Sequence, residues 1–163
     1  MPATIAAKGS SISIGWPIHS ISPVFTTAVD VDPEITRADL LDPDTNVIVE
    51  IATIITDDQL NVVAEGPDIV IHQPDDVLTR MDPFVVDMHT KSGLIEEFDS
   101  GVDLAEAERM VLEYVQRFVP DARTAPLAGN SIGTDRMFLN RYMPALDQHL
   151  HYRNIDVSSI KER

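Results

Sequence analysis

Acidic residues at two places in the sequence have the types and spacing needed to bind a divalent cation. Asp32 and Glu34 are two positions apart at the end of a β-branched run, so a strand would point both toward the same face. Asp135 follows a short apolar run and a Gly-Asn-Ser loop, where a helical pattern begins. Carboxylates suit hard cations, and two metals sharing carboxylates catalyse phosphodiester hydrolysis. The alternative is that Asp30, Asp32 and Glu34 are ordinary surface acids.

Histidine and arginine side chains give weaker signals. His89 is a lone histidine beside apolar residues, a setting more typical of a packed side chain than of a functional one. Tyr152 and Arg153 are adjacent, a pairing that suits base stacking and phosphate contact but also fits an ordinary strand edge. His149 and His151 are expected on one face of a strand. Without a third nitrogen or thiolate ligand nearby they do not predict a zinc site.

The charge balance limits the class of ligand. The chain has 12 Lys and Arg against 27 Asp and Glu, for a net charge of −15. Proteins that grip long nucleic acids present a basic face that releases counterions, so long nucleic acid is disfavoured as a partner. A small anionic ligand remains possible where a metal supplies positive charge. The acidity is equally compatible with a role in solubility alone.

Length and composition favour a single cytoplasmic domain. The chain has 163 residues and no cysteine, which excludes disulfides and thiolate chemistry. The sequence contains neither an apolar run long enough to span a bilayer nor a convincing signal peptide, so no membrane association is expected. Residues 1–23 are small, mixed and punctuated by Gly and Pro, which predicts a loop or poorly ordered leader.

Apolar periodicity predicts an α/β layered domain, in which a meander of strands comes first and helices then alternate with strands. A break is expected at Glu65-Gly66-Pro67, where turn-forming residues interrupt the apolar pattern. Asp103 is expected to cap the clearest helix, with Glu106 three residues on. The predicted strands are 24–31, 47–56, 62–64, 68–72, 125–129 and 155–157, and the predicted helices are 74–81, 83–90, one from 103 to about 118, and 134–142.

Several long motifs, read in order, resemble one family. They are Glu50-Ile51-Ala52-Thr53-Ile54-Ile55-Thr56-Asp57, Val70-Ile71-His72, Met88-His89-Thr90-Lys91-Ser92-Gly93-Leu94, Gly129-Asn130-Ser131-Ile132-Gly133-Thr134-Asp135-Arg136 and His151-Tyr152-Arg153-Asn154-Ile155-Asp156-Val157-Ser158-Ser159. Together they resemble oligoribonuclease, a 3′-to-5′ exoribonuclease of the DEDD group, and most of all its actinobacterial members. The resemblance implies an RNase H-like exonuclease fold, a mixed sheet flanked by helices, over residues 29–163. Residues 1–28 are expected to form a divergent leader.

The sequence departs from the family pattern at both ends. The family's first motif is Asp-x-Glu-Met-Thr-Gly-Leu, and Val31–Thr36 resembles its start if a gap of three residues follows. Without the gap the acids would fall on Ile35 and Arg37, and the metal pair would be lost. The family's last motif holds a general-base His and a fourth acidic ligand. The chain ends at Arg163 before it, so we expect the C-terminal helical part to be missing and activity to be impaired.

The resemblance implies roles for the remaining residues. Asp32, Glu34 and Asp135 would hold Mg²⁺ or Mn²⁺ and form the catalytic centre. Tyr152 would reach into the site of a partner subunit, since the family forms homodimers. The implied activity is hydrolysis of very short RNAs, from dinucleotides to about pentanucleotides, into 5′ mononucleotides. The residues implied in substrate binding are Leu41, Phe84, His89, Ser131, Tyr152, Arg153 and Ser158.

Two other classes of function remain open at this point. One is a non-catalytic module that binds nucleotides or dimerises, and has kept the family's pocket without its chemistry. The other is a decayed gene product with no stable function, which would unfold with weak cooperativity.

Overall fold

The computed structural model describes residues 24–30, 43–44, 46–59, 61–80 and 83–156, with the backbone alone described for 24–30. The predicted leader and the site residues Asp32, Glu34, Leu41 and Ser158 lie outside these ranges, as does the side chain of Phe84. The strands are β1 (Val24–Asp30), β2 (Glu50–Thr56), β3 (Val62–Val70), β4 (Leu127–Gly129) and β5 (Asn154–Asp156). The helices are α1 (Asp75–Arg80), α2 (Pro83–Ser92), α3 (Leu94–Glu97), α4 (Leu104–Phe118), α5 (Ile132–Tyr142) and α6 (Pro144–His149), with a 3₁₀ turn at Phe98–Ser100.

The five strands form one mixed sheet in the order β3-β2-β1-β4-β5. β1 pairs with β2 and β2 with β3 in antiparallel fashion, while β4 is parallel to both β1 and β5. Thr26 of β1 lies beside Ala128 of β4, and Asp30 at the end of β1 lies opposite Glu50. The α/β fold with a mixed sheet is therefore confirmed, and β1 and β4 reach their carboxyl ends at the same edge.

The main core lies between the sheet and α4. Ala107, Val111 and Val115 are completely buried on one side of this helix and belong to the same core cluster as Ile51 and Ile55 of β2. Their spacing of four residues is one of the helical intervals that the sequence displayed. The Asp103 carboxylate caps the helix by accepting from the backbone N–H of Ala105 across 2.9 Å. This long amphipathic helix fixes one face of the sheet.

A smaller core of Val49, Leu94 and Phe98 attaches α3 and the 3₁₀ turn to the sheet. The chain then returns beside β3, where the His72 N–H donates to the Val102 carbonyl across 2.8 Å. Gly101 makes this approach possible, because a Cβ there would lie 2.6 Å from the His72 backbone nitrogen. The bond therefore covers part of an otherwise open sheet edge.

Two of the sequence predictions about strands were wrong. The expected break at Glu65-Gly66-Pro67 does not end a strand, because β3 runs from Val62 to Val70, and these residues only shift its register against β2 between Glu65 and Asp68. His149 does not share a strand face with His151, because it ends α6 and is buried. The His149 Nε2 lies 2.8 Å from the Val119 carbonyl, which gives this ring a structural partner.

Within the described ranges, the helices are all too short or too polar to cross a membrane.

Candidate functional site

A tight turn at the end of β4 sets the start of α5. Gly129 ends the strand, and a Cβ there would lie 2.8 Å from Cδ1 of the fully buried Ile132. Ser131 has φ 52 and ψ 35, a left-handed conformation that is uncommon outside glycine. Its side chain makes no capping hydrogen bond with the helix. The turn therefore places α5 at the carboxyl edge of the sheet, with Ser131 exposed to solvent.

Asp135 lies in the first turn of α5 and is half-buried. Burial raises the pKa of Asp135 to about 7, its own backbone N–H works against this rise, and the negative charge of Asp156 adds to it. A carboxylate in this setting gains most from a nearby cation, which favours its charged form. The carboxylate oxygens of Asp135 are the hard donors that a divalent metal ion prefers. Such an ion would also neutralise the negative charge that burial and Asp156 disfavour.

The first acid pair follows β1 in the sequence. β1 ends at Asp30, and Asp32 and Glu34 come two and four positions later. Because β1 and β4 are parallel, the chain leaves β1 at the edge where α5 begins. Among the described residues alone, no three His, Asp or Glu side chains group closely enough to hold a metal. The convergence of Asp32 and Glu34 on Asp135 stays a prediction.

Tyr152 and Arg153 form an exposed aromatic and cationic surface just before β5. The Tyr152 residue is 67% exposed, and its ring centroid lies 4.4 Å from that of His151. The Arg153 Cζ lies 5.5 Å from the same ring centroid, and Nε donates to the Tyr152 hydroxyl across 3.0 Å. A guanidinium held against an accessible ring can contact phosphate while the ring stacks on a base.

A cleft of about 390 Å³ lies between the start of α5 and β5. Ser131, one of the predicted substrate-binding residues, forms part of its wall. Asp156 also lines the cleft, and its Oδ1 accepts from the Ser131 backbone N–H across 3.2 Å. The sequence motif contained Asp156, yet no role followed from it. The other lining residues, likewise not predicted, are Gly133, Thr134 and Met137.

Comparison with known proteins shows the family. The exonuclease family model matches residues 29–163. The chain belongs to the exonuclease family. The chain is similar to the oligoribonuclease of Leifsonia xyli subsp. xyli. The two are 61% identical over 132 residues, which cover 81% of this chain and 62% of that protein. The oligoribonuclease of Mycobacterium sp. strain KMS is 56% identical over 133 residues, covering 81% of this chain and 60% of the relative. That of Cutibacterium acnes is 49% identical over 132 residues, covering 81% and 64%.

These matches confirm the resemblance to oligoribonuclease that the motifs indicated, and with it the exonuclease fold. The exonuclease chain described here spans about three fifths of the length of the curated relatives that it matches.

His89 occupies an unexpected position for a substrate contact. It lies on α2, it is 1% exposed, and its ring centroid lies 6.4 Å from that of Phe98. Its Nε2 has no hydrogen-bond partner among the described residues. An unpaired ring nitrogen in the interior costs about 1–3 kcal/mol. The implied contact between His89 and substrate stays a prediction, and it requires this side of the exonuclease domain to open toward the ligand.

The described site residues thus fall into two groups. Asp135 and Ser131 lie together at the start of α5, and Tyr152 and Arg153 lie before β5, the strand that pairs with β4. His89 is separate and buried. Sequence reasoning missed Arg136, whose guanidinium joins the two groups, because nothing in the local pattern distinguishes it from a surface arginine.

Proposed function

We propose that the protein is a 3′-to-5′ exoribonuclease that hydrolyses very short oligoribonucleotides, from dinucleotides to about pentanucleotides, into 5′ mononucleotides. The observation that supports this proposal is the half-buried Asp135, whose pKa is raised to about 7, at the sheet edge where β1 ends at Asp30, two positions before Asp32 in the sequence. Membership of the exonuclease family and the similarity to oligoribonucleases support it.

Each residue has a defined part in the proposed reaction. Asp32, Glu34 and Asp135 would hold Mg²⁺ or Mn²⁺, in a two-metal arrangement. Bound ions of this kind activate water and stabilise the charge that develops on a phosphodiester. The Arg153 guanidinium would bind the 5′ phosphate, and the exposed Tyr152 ring would stack on a base. Ser131 would offer its hydroxyl to the nucleotide from the wall of the cleft.

The remaining implied contacts belong to the same proposal. Phe84 would stack on a base, Leu41 would insert between bases, His89 would contact the substrate, and Ser158 would bind the 5′ phosphate together with Arg153. Tyr152 is 67% exposed, as a side chain must be to reach a second copy of the chain in a homodimer. On family resemblance we assign the protein to the cytoplasm.

A direct test measures hydrolysis of a 5′-phosphorylated diribonucleotide by this chain with Mn²⁺, using chromatography to detect mononucleotides. Asp135→Asn removes one charged ligand and should slow release at least about 100-fold, since even changes around metal ligands cost about 10–100-fold. Asp58→Asn is the matched control. Asp58 lies in the hairpin that follows β2, beyond the far end of this strand from Glu50. Its substitution should leave the rate unchanged.

The rate relative to the Leifsonia xyli oligoribonuclease tests the expected impairment. If the chain works without the general-base His of the family's last motif, its metal-dependent release should be slow, since general acid–base catalysis typically contributes about 10²–10⁴-fold in rate. Equal rates would make the impairment wrong and leave the function standing. Metal-dependent binding without any hydrolysis, measured by calorimetry, would instead favour a non-catalytic nucleotide-binding module. The proposal would be overturned if the chain neither bound nor hydrolysed the diribonucleotide.

A further inference from the structure

Arg136 makes an unusual set of contacts for a helical arginine. Its Nη1 donates to the His151 carbonyl across 2.8 Å and lies 3.3 Å from Oδ1 of Asn154. Its Nη2 donates to the Asp147 carbonyl across 3.1 Å, and its Nε forms an ion pair with the Asp147 carboxylate. One guanidinium on α5 therefore binds Asp147 of α6 and the residues on both sides of Tyr152-Arg153.

Burial makes this set of contacts rigid. The Arg136 and Asp147 side chains are only 18% and 12% exposed, whereas Arg141 on the same helix is 60% exposed. A charge withdrawn from water is costly unless its partners satisfy it fully. Asn140 adds a further bond to the Asp147 carboxylate at 3.1 Å. The network therefore has far less freedom than an exposed ion pair.

The position of Arg136 gives these contacts a functional meaning. Arg136 directly follows Asp135 on α5. Its acceptors His151 and Asn154 are the residues immediately before and after Tyr152-Arg153 in the sequence. The helix and the guanidinium together connect Asp135 to the residues on both sides of Tyr152-Arg153.

We propose that Arg136 is a positioning residue that fixes the Tyr152-Arg153 segment, and with it the Arg153 guanidinium, at a set distance from Asp135. This inference rests on the proposed function, in which Asp135 faces the reacting phosphodiester and Arg153 faces the 5′ phosphate. The fixed distance then selects nucleotides whose two phosphates have the matching separation. Arg136 acts through the segment that it holds and does not touch the substrate.

Arg136→Lys is the informative substitution. It keeps the positive charge, but an ammonium lacks the planar fork that serves His151, Asn154 and Asp147 at once. The matched control is Arg141→Lys, five positions along the same helix. Arg141 makes an exposed ion pair with Asp44 at 3.3 Å, which contributes little to stability.

The first measurement needs no ligand. Amide hydrogen exchange of residues 151–156 should accelerate at least about tenfold in Arg136→Lys, because this segment loses its side-chain restraint. Exchange in α4 should not change, and Arg141→Lys should match the unsubstituted protein throughout. Unchanged exchange of residues 151–156 would overturn the positioning role, whether or not the protein binds nucleotides.

The second measurement compares diribonucleotides with and without a 5′ phosphate, by calorimetry with Mn²⁺. Arg136→Lys should reduce the preference for the 5′-phosphorylated form about 10- to 100-fold, because a weakened hydrogen bond between charged groups changes affinity by about this much. Affinity for the 5′-hydroxyl form should stay the same. An equal loss for both forms would show a purely structural role and overturn the inference.

Two outcomes separate this inference from the proposed function. If the unsubstituted chain binds neither dinucleotide, the proposed function fails, while the exchange result still decides whether Arg136 restrains the segment. If Arg136→Lys does not fold, Asn154→Ala replaces it, because this exposed side chain supplies a single acceptor at 3.3 Å. Asn154→Ala should also reduce the preference for the 5′ phosphate, but by a smaller factor. An unchanged preference would overturn the inference.

Discussion

The backbone N–H of Ser131 donates to the carboxylate of Asp156 across 3.2 Å, which joins the residue before α5 to the last described strand. Ser131 needs such a partner because its φ of 52 is a left-handed conformation that costs about 1–2 kcal/mol for a residue with a Cβ. A bond to a charged acceptor offsets a cost of this size. The turn that sets the direction of α5 is thus held by a residue 25 positions away.

Removal of this acceptor should destabilise the turn. We expect Asp156→Ala to lower the free energy of unfolding by about 1–2 kcal/mol, because the Ser131 N–H loses a charged partner. Asp156→Asn keeps an amide oxygen at the same place and should cost less. Urea denaturation measures both values, and equal losses for the two substitutions would contradict the role assigned to this bond.

The raised pKa of Asp135 predicts a pH dependence of stability. The pKa of Asp135 is raised from the ordinary value of 3.8 to about 7 in the folded protein. Its contribution to stability is therefore fully present below pH 3.8 and is lost as the pH rises through about 7. Asp135→Asn removes the titration, so its stability relative to the unsubstituted protein should increase from pH 4 to pH 7. The slope is at most about 1.4 kcal/mol per pH unit.

Urea denaturation of Asp135→Asn and of the unsubstituted protein across this pH range checks the slope. Cation binding should follow the same titration. Mn²⁺ competes with the proton on Asp135, so its affinity should rise between pH 6 and pH 8. A pH-independent affinity would show that Asp135 is already ionised in the free protein.

Two glycines should respond in opposite directions to alanine. A Cβ at Gly66 would lie 2.7 Å from Cε1 of Tyr114 and 2.9 Å from the backbone oxygen of Thr53, which cannot move aside cheaply. Gly66→Ala should therefore cost about 1–3 kcal/mol. Gly133 lies in α5 with nothing within 4 Å of the added atom, so Gly133→Ala should stabilise by up to about 1 kcal/mol.

Thermal unfolding of the two variants provides the comparison. A lower midpoint for Gly66→Ala and a higher one for Gly133→Ala are expected. A loss of stability in Gly133→Ala would show that the first turn of α5 needs the backbone freedom of glycine.

Glu108 on α4 should contribute more to stability than its exposed neighbours. Its Oε1 accepts from the backbone N–H groups of Ala145 and Leu146 at 2.6 and 3.2 Å, and so caps α6 from another helix. Glu108→Ala should cost about 1–2 kcal/mol, as the loss of a helix cap does. Glu113→Ala, which removes only an exposed ion pair with Arg109, should cost less than about 1 kcal/mol.

Chemical denaturation of both glutamate variants checks the difference. Similar losses at the two positions would mean that the start of α6 is stabilised by packing and not by the Glu108 carboxylate.

Sequence patterns predicted the elements whose signals are local. α4 followed from its apolar spacing and Asp103, and Ala107 and Val111 are completely buried as that spacing requires. Asp103 caps the helix as predicted, but Glu106 does not complete a capping box with it. The Glu106 carboxylate instead makes an ion pair with Arg109. β1 was predicted within one residue of its observed end, since β-branched residues mark a strand wherever it pairs.

Predictions failed where distant contacts override local signals. Gly66-Pro67 does not break β3, because this strand lies at the edge of the sheet, where a proline without an N–H is tolerated. Gly66 instead lets the Tyr114 ring approach closely. α6 was not predicted at all, since it is only six residues long and depends on Glu108, 36 positions before its first residue, Pro144.

The sequence by itself determined the family, the order of the described strands along the chain, and the position of Asp135 at the start of a helix, because these depend on neighbouring residues. Only the tertiary structure decided the chemical state of the site. Burial and the charge of Asp156 raise the pKa of Asp135, and Arg136 reaches His151 and Asn154 across 15 and 18 positions. Such effects arise from side chains brought together by folding, so no local pattern records them.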